Sequence, residues 1–366
     1  MITTLFKNIA KDNVVKIVLT IFIILMFFKQ PDFHDIDVNT ILILFNLMLI
    51  IEIVKETNIL NYFSALIINH VSNSRQINAW LVILSFFGSM IVTNDVAIIT
   101  LVPLYILIAK QYQLNIAYPV SLITIAANMG SAVTPIGNPQ NVFLVENFQV
   151  GFIDFMAQSL QILFVGIVIM IILVNLNHKK EIGLQSIPIP TIKRMDLVWV
   201  IGLFTIVLLS QFNIINILIP LILVIWKSTK LNPKMLVKID YSLLITFVFF
   251  FLIVGMISKM PIVSEYIDHF IKTPQSTFLT SIGISQIISN VPCAVLIAKF
   301  SGHFSAIYWG VSIGGLGTLV ASLANLLAFK QIANYARDER LNFIKIFTGL
   351  NIGLLIILII IKIILI

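Results

Sequence analysis

Two twelve-residue stretches, GSAVTPIGNPQN at 130–141 and GGLGTLVASLAN at 314–325, decide how this chain folds. Aligned without a gap, they share Gly130/Gly314, Thr134/Thr318 and Asn141/Asn325. A second matched pair precedes them, SMIVTN at 89–94 and SQIISN at 285–290, in which Ser-x-x-x-Ser/Thr-Asn recurs. These are the most polar and glycine-rich words in an otherwise oily chain. Polar words repeated at matching places within apolar segments point to a membrane protein of two related halves, with its working site between them.

Composition settles the solvent. Of 366 residues, 59% are hydrophobic and 11% charged, and the mean hydropathy is +1.05, far from the balance of a soluble domain. A spanning helix needs about 20 mostly apolar residues, and the chain holds many such runs. The net charge of +7 sits in loops, which argues against nucleic acid and for a lipid bilayer whose headgroups supply the counter-charge. The single cysteine, Cys293, excludes an internal disulfide. Lys7, Lys11 and Lys16 precede an apolar run at 17–28, with no small-residue cleavage site before Lys29-Gln30-Pro31. That run therefore reads as a first membrane helix, not a cleavable signal.

Spanning helices are expected near 14–28, 39–53, 117–147, 152–175, 196–211, 213–227, 241–258, 304–336 and 346–366. Of these, 117–147 and 304–336 are interrupted by the duplicated words and read as broken helices. The stretches 78–110 and 274–302 carry polar tips at mid-length and read as re-entrant hairpins, while 59–71, containing Asn69-His70, reads as an interfacial helix. The positive-inside rule orients the chain. A cytoplasmic N-terminus puts the basic loops 176–195, 227–240 and 337–345 inside, and the acidic loop 30–38 and the nearly balanced loop 259–272 outside. The first hairpin then enters from the cytoplasm and the second from outside. The expected fold is an all-α polytopic membrane protein of two inverted-topology repeats, each with a re-entrant helical hairpin and a broken transmembrane helix. Residues 1–175 form the first repeat, 176–212 a linker with one helix, and 213–366 the second.

The polar words have a chemical use. Pro135, Gly137, Pro139 and Gly317 break helices, and non-helical backbone at membrane depth survives only where it is buried in protein or lines a wet cavity. A break frees carbonyls that can coordinate a cation and exposes helix N-termini that attract anions. Ser, Thr and Asn oxygens complete a hard-cation site. Ser89, Ser285, Thr134 and Thr318 have a plainer use open to them, bonding back to helix carbonyls or allowing close packing. Asn94 and Asn290, duplicated at the tips of apolar hairpins, are costly without a function.

Asp95 stands alone, since Val291 takes its place in the second half. An ionisable group amid apolar sequence marks function by default, as a cation ligand or protonatable coupling group, unless Lys110, Lys259 or Lys299 forms a structural pair with it. The histidines His34, His70, His178, His269 and His303 lack ligand spacing, so no metal beyond Na⁺ is expected. No nucleophile–base set, Walker loop or dinucleotide fingerprint is present, which makes the chain a transporter and not an enzyme, with no cofactor besides coupling ions.

The words VTNDVAIITLVPL at 92–104, ANMGSAVTPIGNPQNVFL at 127–144, SQIISNVP at 285–292 and GGLGTLVASLAN together resemble the ion transporter superfamily. That superfamily includes divalent anion–sodium symporters, citrate transporters, arsenite permeases and NhaD-type antiporters. The resemblance is nearest to short bacterial citrate-transporter-like or anion-permease members. It implies one cation site from Ser89, Thr93, Asn94 and the Gly130 region, and another from Ser285, Ser289, Asn290 and the region of Ala321 and Ser322. Substrate and coupling are expected at Asp95, Thr134, Gly137, Asn138, Asn141, Thr318 and Asn325. The family's two carboxylate-contacting threonines are Asp95 and Val291 here, and an Asn-Asp tip looks more like the arsenite permeases. The expected function is a secondary active transporter of a small anion, citrate or another carboxylate, coupled to Na⁺ or H⁺ by alternating access. Arsenite permeation or Na⁺/H⁺ antiport through Asp95 is the alternative. The expected location is a bacterial inner membrane, with the protein a homodimer.

Overall fold

The computed structural model describes residues 12–68, 71–181, 188–261, 267 and 270–365. Lys7, Lys11, His70 and His269 lie outside the described residues. Among the described residues the chain is helical, with one isolated bridge between Asn73 and Glu181 in place of any sheet. Among those residues, seven helices are long and apolar enough to cross a membrane.

The helices are α1 (Asn13–Met26), α2 (Val38–Glu56), α3 (Ile59–Ile68), α4 (Ser74–Val92), α5 (Asn94–Tyr112), α6 (Ala117–Ala132), α7 (Pro139–Phe148), α8 (Phe152–Asn175) and α9 (Arg194–Gln211). They continue as α10 (Leu218–Leu231), α11 (Met235–Lys238), α12 (Tyr241–Ser258), α13 (Pro274–Ile288), α14 (Asn290–Ala298), α15 (Phe304–Gly314), α16 (Leu323–Tyr335) and α17 (Arg340–Leu365). Their boundaries follow from capping chemistry. Asp12, Asp37 and Asp240 each accept a backbone N–H at the start of α1, α2 and α12, satisfying donors that a helix leaves open.

Residues 213–217, expected to open a helix at 213, form a connection instead. Asn213 adopts a left-handed φ of 56° that ends α9, and Asn216 accepts the Leu218 N–H to begin α10 five residues late.

Helices α4 and α5 each have the length of a span, about 28 Å for 19 residues, yet they form one hairpin. The Ser74 hydroxyl bonds the His178 carbonyl at 3.1 Å, and Lys180 Nζ reaches the carbonyls of Tyr112 and Gln113 at 3.0 and 3.3 Å. The outer ends of both arms thus meet one three-residue segment, and only Thr93 separates the arms at the tip. In α13 and α14 the return is similar, with the Thr277 and Ser301 hydroxyls 3.4 Å apart across the hairpin base.

Each first arm lies along the broken helix that follows it, α4 on α6 and α13 on α15, while each second arm crosses to the other half, α5 on α16 and α14 on α7. Glycines allow the first of these approaches. A Cβ on Gly130 would stand 2.0 Å from the Phe86 carbonyl oxygen, and one on Gly314 would stand 2.9 Å from Ser285 Oγ. The core sits where these elements meet, around Tyr105, Phe155, Phe247, Tyr308 and Trp309.

Candidate substrate and cation site

The two hairpin tips share an unusual backbone. Thr93 has φ 71° and ψ 156°, and Ser289 has φ 76° and ψ 154°. L-residues hold such angles only when their surroundings impose them, and such residues cluster at functional sites. Each turn places an asparagine, Asn94 or Asn290, at the N-terminus of the second arm and buries it.

The helix breaks are also built alike. Asn141 Nδ2 donates to the Ala132 and Thr134 carbonyls at 3.0 and 2.8 Å, and Asn325 Nδ2 donates to those of Gly315 and Thr318 at 2.9 and 3.0 Å. Both asparagines satisfy backbone that the break exposes. The Thr134 hydroxyl bonds the Met90 carbonyl, and the Thr318 hydroxyl bonds that of Gln286, so each break is pinned to its hairpin. Asn138 and Ser322 cap the helices that resume after the breaks. Gly137 packs against Ser131, whose carbonyl oxygen would lie 2.2 Å from an added Cβ. Ser89 and Ser285 donate back to the carbonyls of Phe86 and Ser281 at 3.0 and 2.7 Å, leaving only their lone pairs for a cation.

Two residues not singled out by sequence join these pieces. Asn128 is buried in α6, where its Oδ1 accepts from Asn94 Nδ2 at 3.1 Å and from the Ser322 hydroxyl at 3.2 Å. Its Nδ2 donates to Asn325 Oδ1 at 2.7 Å, so the first tip is tied to the second break. Gln286 ties the second tip to its own break through the carbonyls of Gly314 and Leu316. The available signal was a polar residue inside each apolar run: Asn128 two positions before Gly130, and Gln286 where its counterpart is Met90.

A cavity of about 520 Å³ reaches the first tip, where Thr93, Asp95 and Asn138 line it. Its walls come from α2, α12 and α16, including Leu47, Ile51, Thr246 and Leu327. Asp12, Glu52, Lys55, Lys238 and Asp240 line the end where α1 and α12 begin. Both of these lysines are engaged with glutamates, Lys55 with Glu52 at 2.6 Å and Lys238 with Glu56 at 3.0 Å. At the other end of α12, Lys259 contacts Asp32 and Asp35 at 3.0 and 2.8 Å, and Lys299 contacts Asp35 at 3.2 Å. There the Lys259 ammonium, by hydrogen bonding, holds the exposed Asp32 carboxyl below its ordinary range.

None of the three lysines weighed as partners reaches Asp95. Lys259 and Lys299 are committed to Asp32 and Asp35, and Lys110 is exposed near the far end of α5, about 22 Å along the helix. Asp95 Oδ1 is buried without a hydrogen-bond partner. Ser289, Asn290, Ala321 and Ser322 are brought together away from this cavity, where Asn290 N–H donates to the Ala321 carbonyl at 2.9 Å. Cys293 packs, its thiol 3.2 Å from the Ser281 carbonyl.

Apolar helices of spanning length, a hairpin tip meeting helix breaks, and a cavity leading to that junction are the features of a multi-pass membrane transport protein. The chain belongs to the Citrate transporter family, whose model matches residues 1–306. It is 34% identical over 304 residues to an uncharacterized transporter of Methanocaldococcus jannaschii, covering 81% of this chain and 82% of that one. It is 28% identical over 313 residues to the inner membrane protein YbiR of Escherichia coli, covering 84% and 82%. The solved YdaH transporter of Alcanivorax borkumensis shares the fold at a TM-score of 0.55 and 13% identity, over 87% of this chain and 83% of that one.

Proposed function

We propose that this protein is a secondary active transporter that carries a small anion, citrate or a similar carboxylate, coupled to Na⁺ or H⁺ by alternating access, with Asp95 as the coupling group. The observation that supports this is Asp95 itself, placed on the cavity with an unpartnered carboxylate oxygen. An entering anion is repelled by that carboxylate unless a proton or cation neutralises it. Ion and anion therefore favour each other's binding, which is a reciprocal coupling free energy. Thr93, Asn94 and the Ser89 lone pairs supply oxygens for a cation beside it.

On this reading the two halves are inverted repeats, the cavity faces the cytoplasm, and the protein works as a homodimer in a cytoplasmic membrane. Purified protein in liposomes, given radiolabelled citrate and other small anions under an imposed Na⁺ or H⁺ gradient, tests it. Uptake should follow one gradient and uncouple from it in Asp95→Asn; indifference to both gradients refutes the coupling.

A second reading, arsenite extrusion or Na⁺/H⁺ antiport, is favoured by Asp95 having no basic partner among the described residues. It requires ion exchange without any organic anion, lost in Asp95→Asn. A pH-sensitive dye inside the liposomes reads that exchange.

A further inference from the structure

The two halves differ at the equivalent positions Met90 and Gln286. Gln286 Nε2 lies 2.7 Å from the Gly314 carbonyl oxygen, 3.1 Å from that of Leu316 and 3.3 Å from that of Ile282. Its Oε1 accepts the Thr318 N–H at 2.9 Å. One donor nitrogen thus sits among three converging carbonyls from the hairpin arm and the break, the kind of oxygen cluster that otherwise holds a hard cation. The chain is shaped around this side chain. Gly317 has φ +103°, and a Cβ there would stand 2.3 Å from Gln286 Oε1.

The second tip is closed as well. The Ala321 carbonyl accepts the Asn290 N–H at 2.9 Å and lies 3.4 Å from the Ser289 hydroxyl. In the first half, Met90 has no amide to donate. No hydrogen bond joins Thr93 or Asn94 to Gly137, the counterpart of Ala321, among the described residues.

We infer that the Gln286 amide is a built-in substitute for a coupling cation, so that the second half holds no ion and coupling runs through one ion in the first half, beside Asp95. This rests on the reading of the site as ion-coupled. A permanent amide holds the second break together in every state of the cycle, whereas an ion can leave. The first junction, which lacks the amide and touches the cavity, is the one able to load and release.

Counting ions tests this. Purified full-length protein is titrated with radiolabelled Na⁺, and its transport in liposomes is followed against Na⁺ concentration. For a proton-coupled protein, proton uptake in weak buffer replaces the Na⁺ count. Expected are one ion per chain, non-sigmoidal activation, loss of the ion in Asn94→Ala (in Asp95→Asn for a proton), and retention of it in Asn290→Ala. Gln286→Met, which copies the first half, should acquire a second Na⁺ and sigmoidal activation. Two ions in the wild type, one of them lost in Asn290→Ala, overturn the inference and leave ion coupling standing. No ion bound, and no dependence on Na⁺ or H⁺, overturn the ion-coupled reading itself. Should Gln286→Met fail to fold, the wild-type count and Asn290→Ala decide alone.

Discussion

Replacing Asn128 by leucine cuts the tie between the first hairpin and the second break. Three hydrogen bonds disappear, to Asn94 at 3.1 Å, Ser322 at 3.2 Å and Asn325 at 2.7 Å. Side-chain hydrogen bonds between membrane helices average about 0.6 kcal/mol each, giving about 2 kcal/mol for three. Buried groups left without a partner cost more, about 1–3 kcal/mol each. Asn325 Oδ1 and Asn94 Nδ2 would be such groups, so about 2 kcal/mol is the lower figure. At 1.4 kcal/mol per decade it shifts an unfolding equilibrium roughly 30-fold. Asn128→Asp tests the geometry further, because it keeps an acceptor for Asn94 but sets a carboxylate against Asn325 Oδ1. It should be at least as damaging as the leucine, although it is nearly isosteric. Equilibrium unfolding in mixed micelles, followed by circular dichroism, measures both. An Asn128→Leu protein with wild-type stability would refute the hub.

The same substitution should have the opposite sign elsewhere. Asn46 and Asn78 are fully buried with neither amide atom bonded, so Asn46→Leu and Asn78→Leu should leave the unfolding midpoint unchanged or raise it. Gly130→Ala should destabilise more than Gly314→Ala, since its Cβ would meet the Phe86 backbone at 2.0 Å whereas that of Gly314 would meet a side-chain oxygen at 2.9 Å; overpacking typically costs about 1–3 kcal/mol, and thermal scans of the two variants rank them. Asp32 has a lowered folded-state value, so its contribution is present above its unfolded value and lost as pH falls through the folded one. An acid titration of stability should therefore show a smaller loss in Asp32→Asn than in the wild type.

Much of this architecture was legible because membrane folding leaves strong marks. Pro139 behind Asn138, and Gly317 before Thr318, announced helix breaks, and the breaks fall there because proline lacks a donor and Gly317 holds a positive φ. Helix α10 was misplaced because Asn213 and Asn216 sit in a run that reads as apolar. Their turn chemistry shows only once the backbone is seen. The roles within the site were less legible. Asn141 and Asn325 read as substrate ligands, and each also bonds carbonyls seven to ten residues back across its break, a use that looks identical in sequence to binding substrate. The roles of Asn128 and Gln286 are not legible because their partners lie up to 197 residues distant, and no local spacing encodes such a pair.

The duplicated residues turn out to share one kind of task. Gly130 and Gly314 admit a helix, Thr134 and Thr318 pin a break, and Asn141 and Asn325 satisfy its carbonyls. These needs come from burying irregular backbone in a membrane, and both halves face them equally. Residues kept in common for that reason cannot distinguish one half from the other. What distinguishes them is Asp95 against Val291, Gln286 against Met90, and Asn128 against Ser312, whose hydroxyl is buried without a partner. Each difference acts in the same direction. The second half is closed by its own amide, and the first carries a carboxylate on the cavity, held at its tip by a hub its counterpart lacks. On the reading proposed above, the second junction stays shut while the first loads and releases its ion, and unequal halves built on equal scaffolds supply that division.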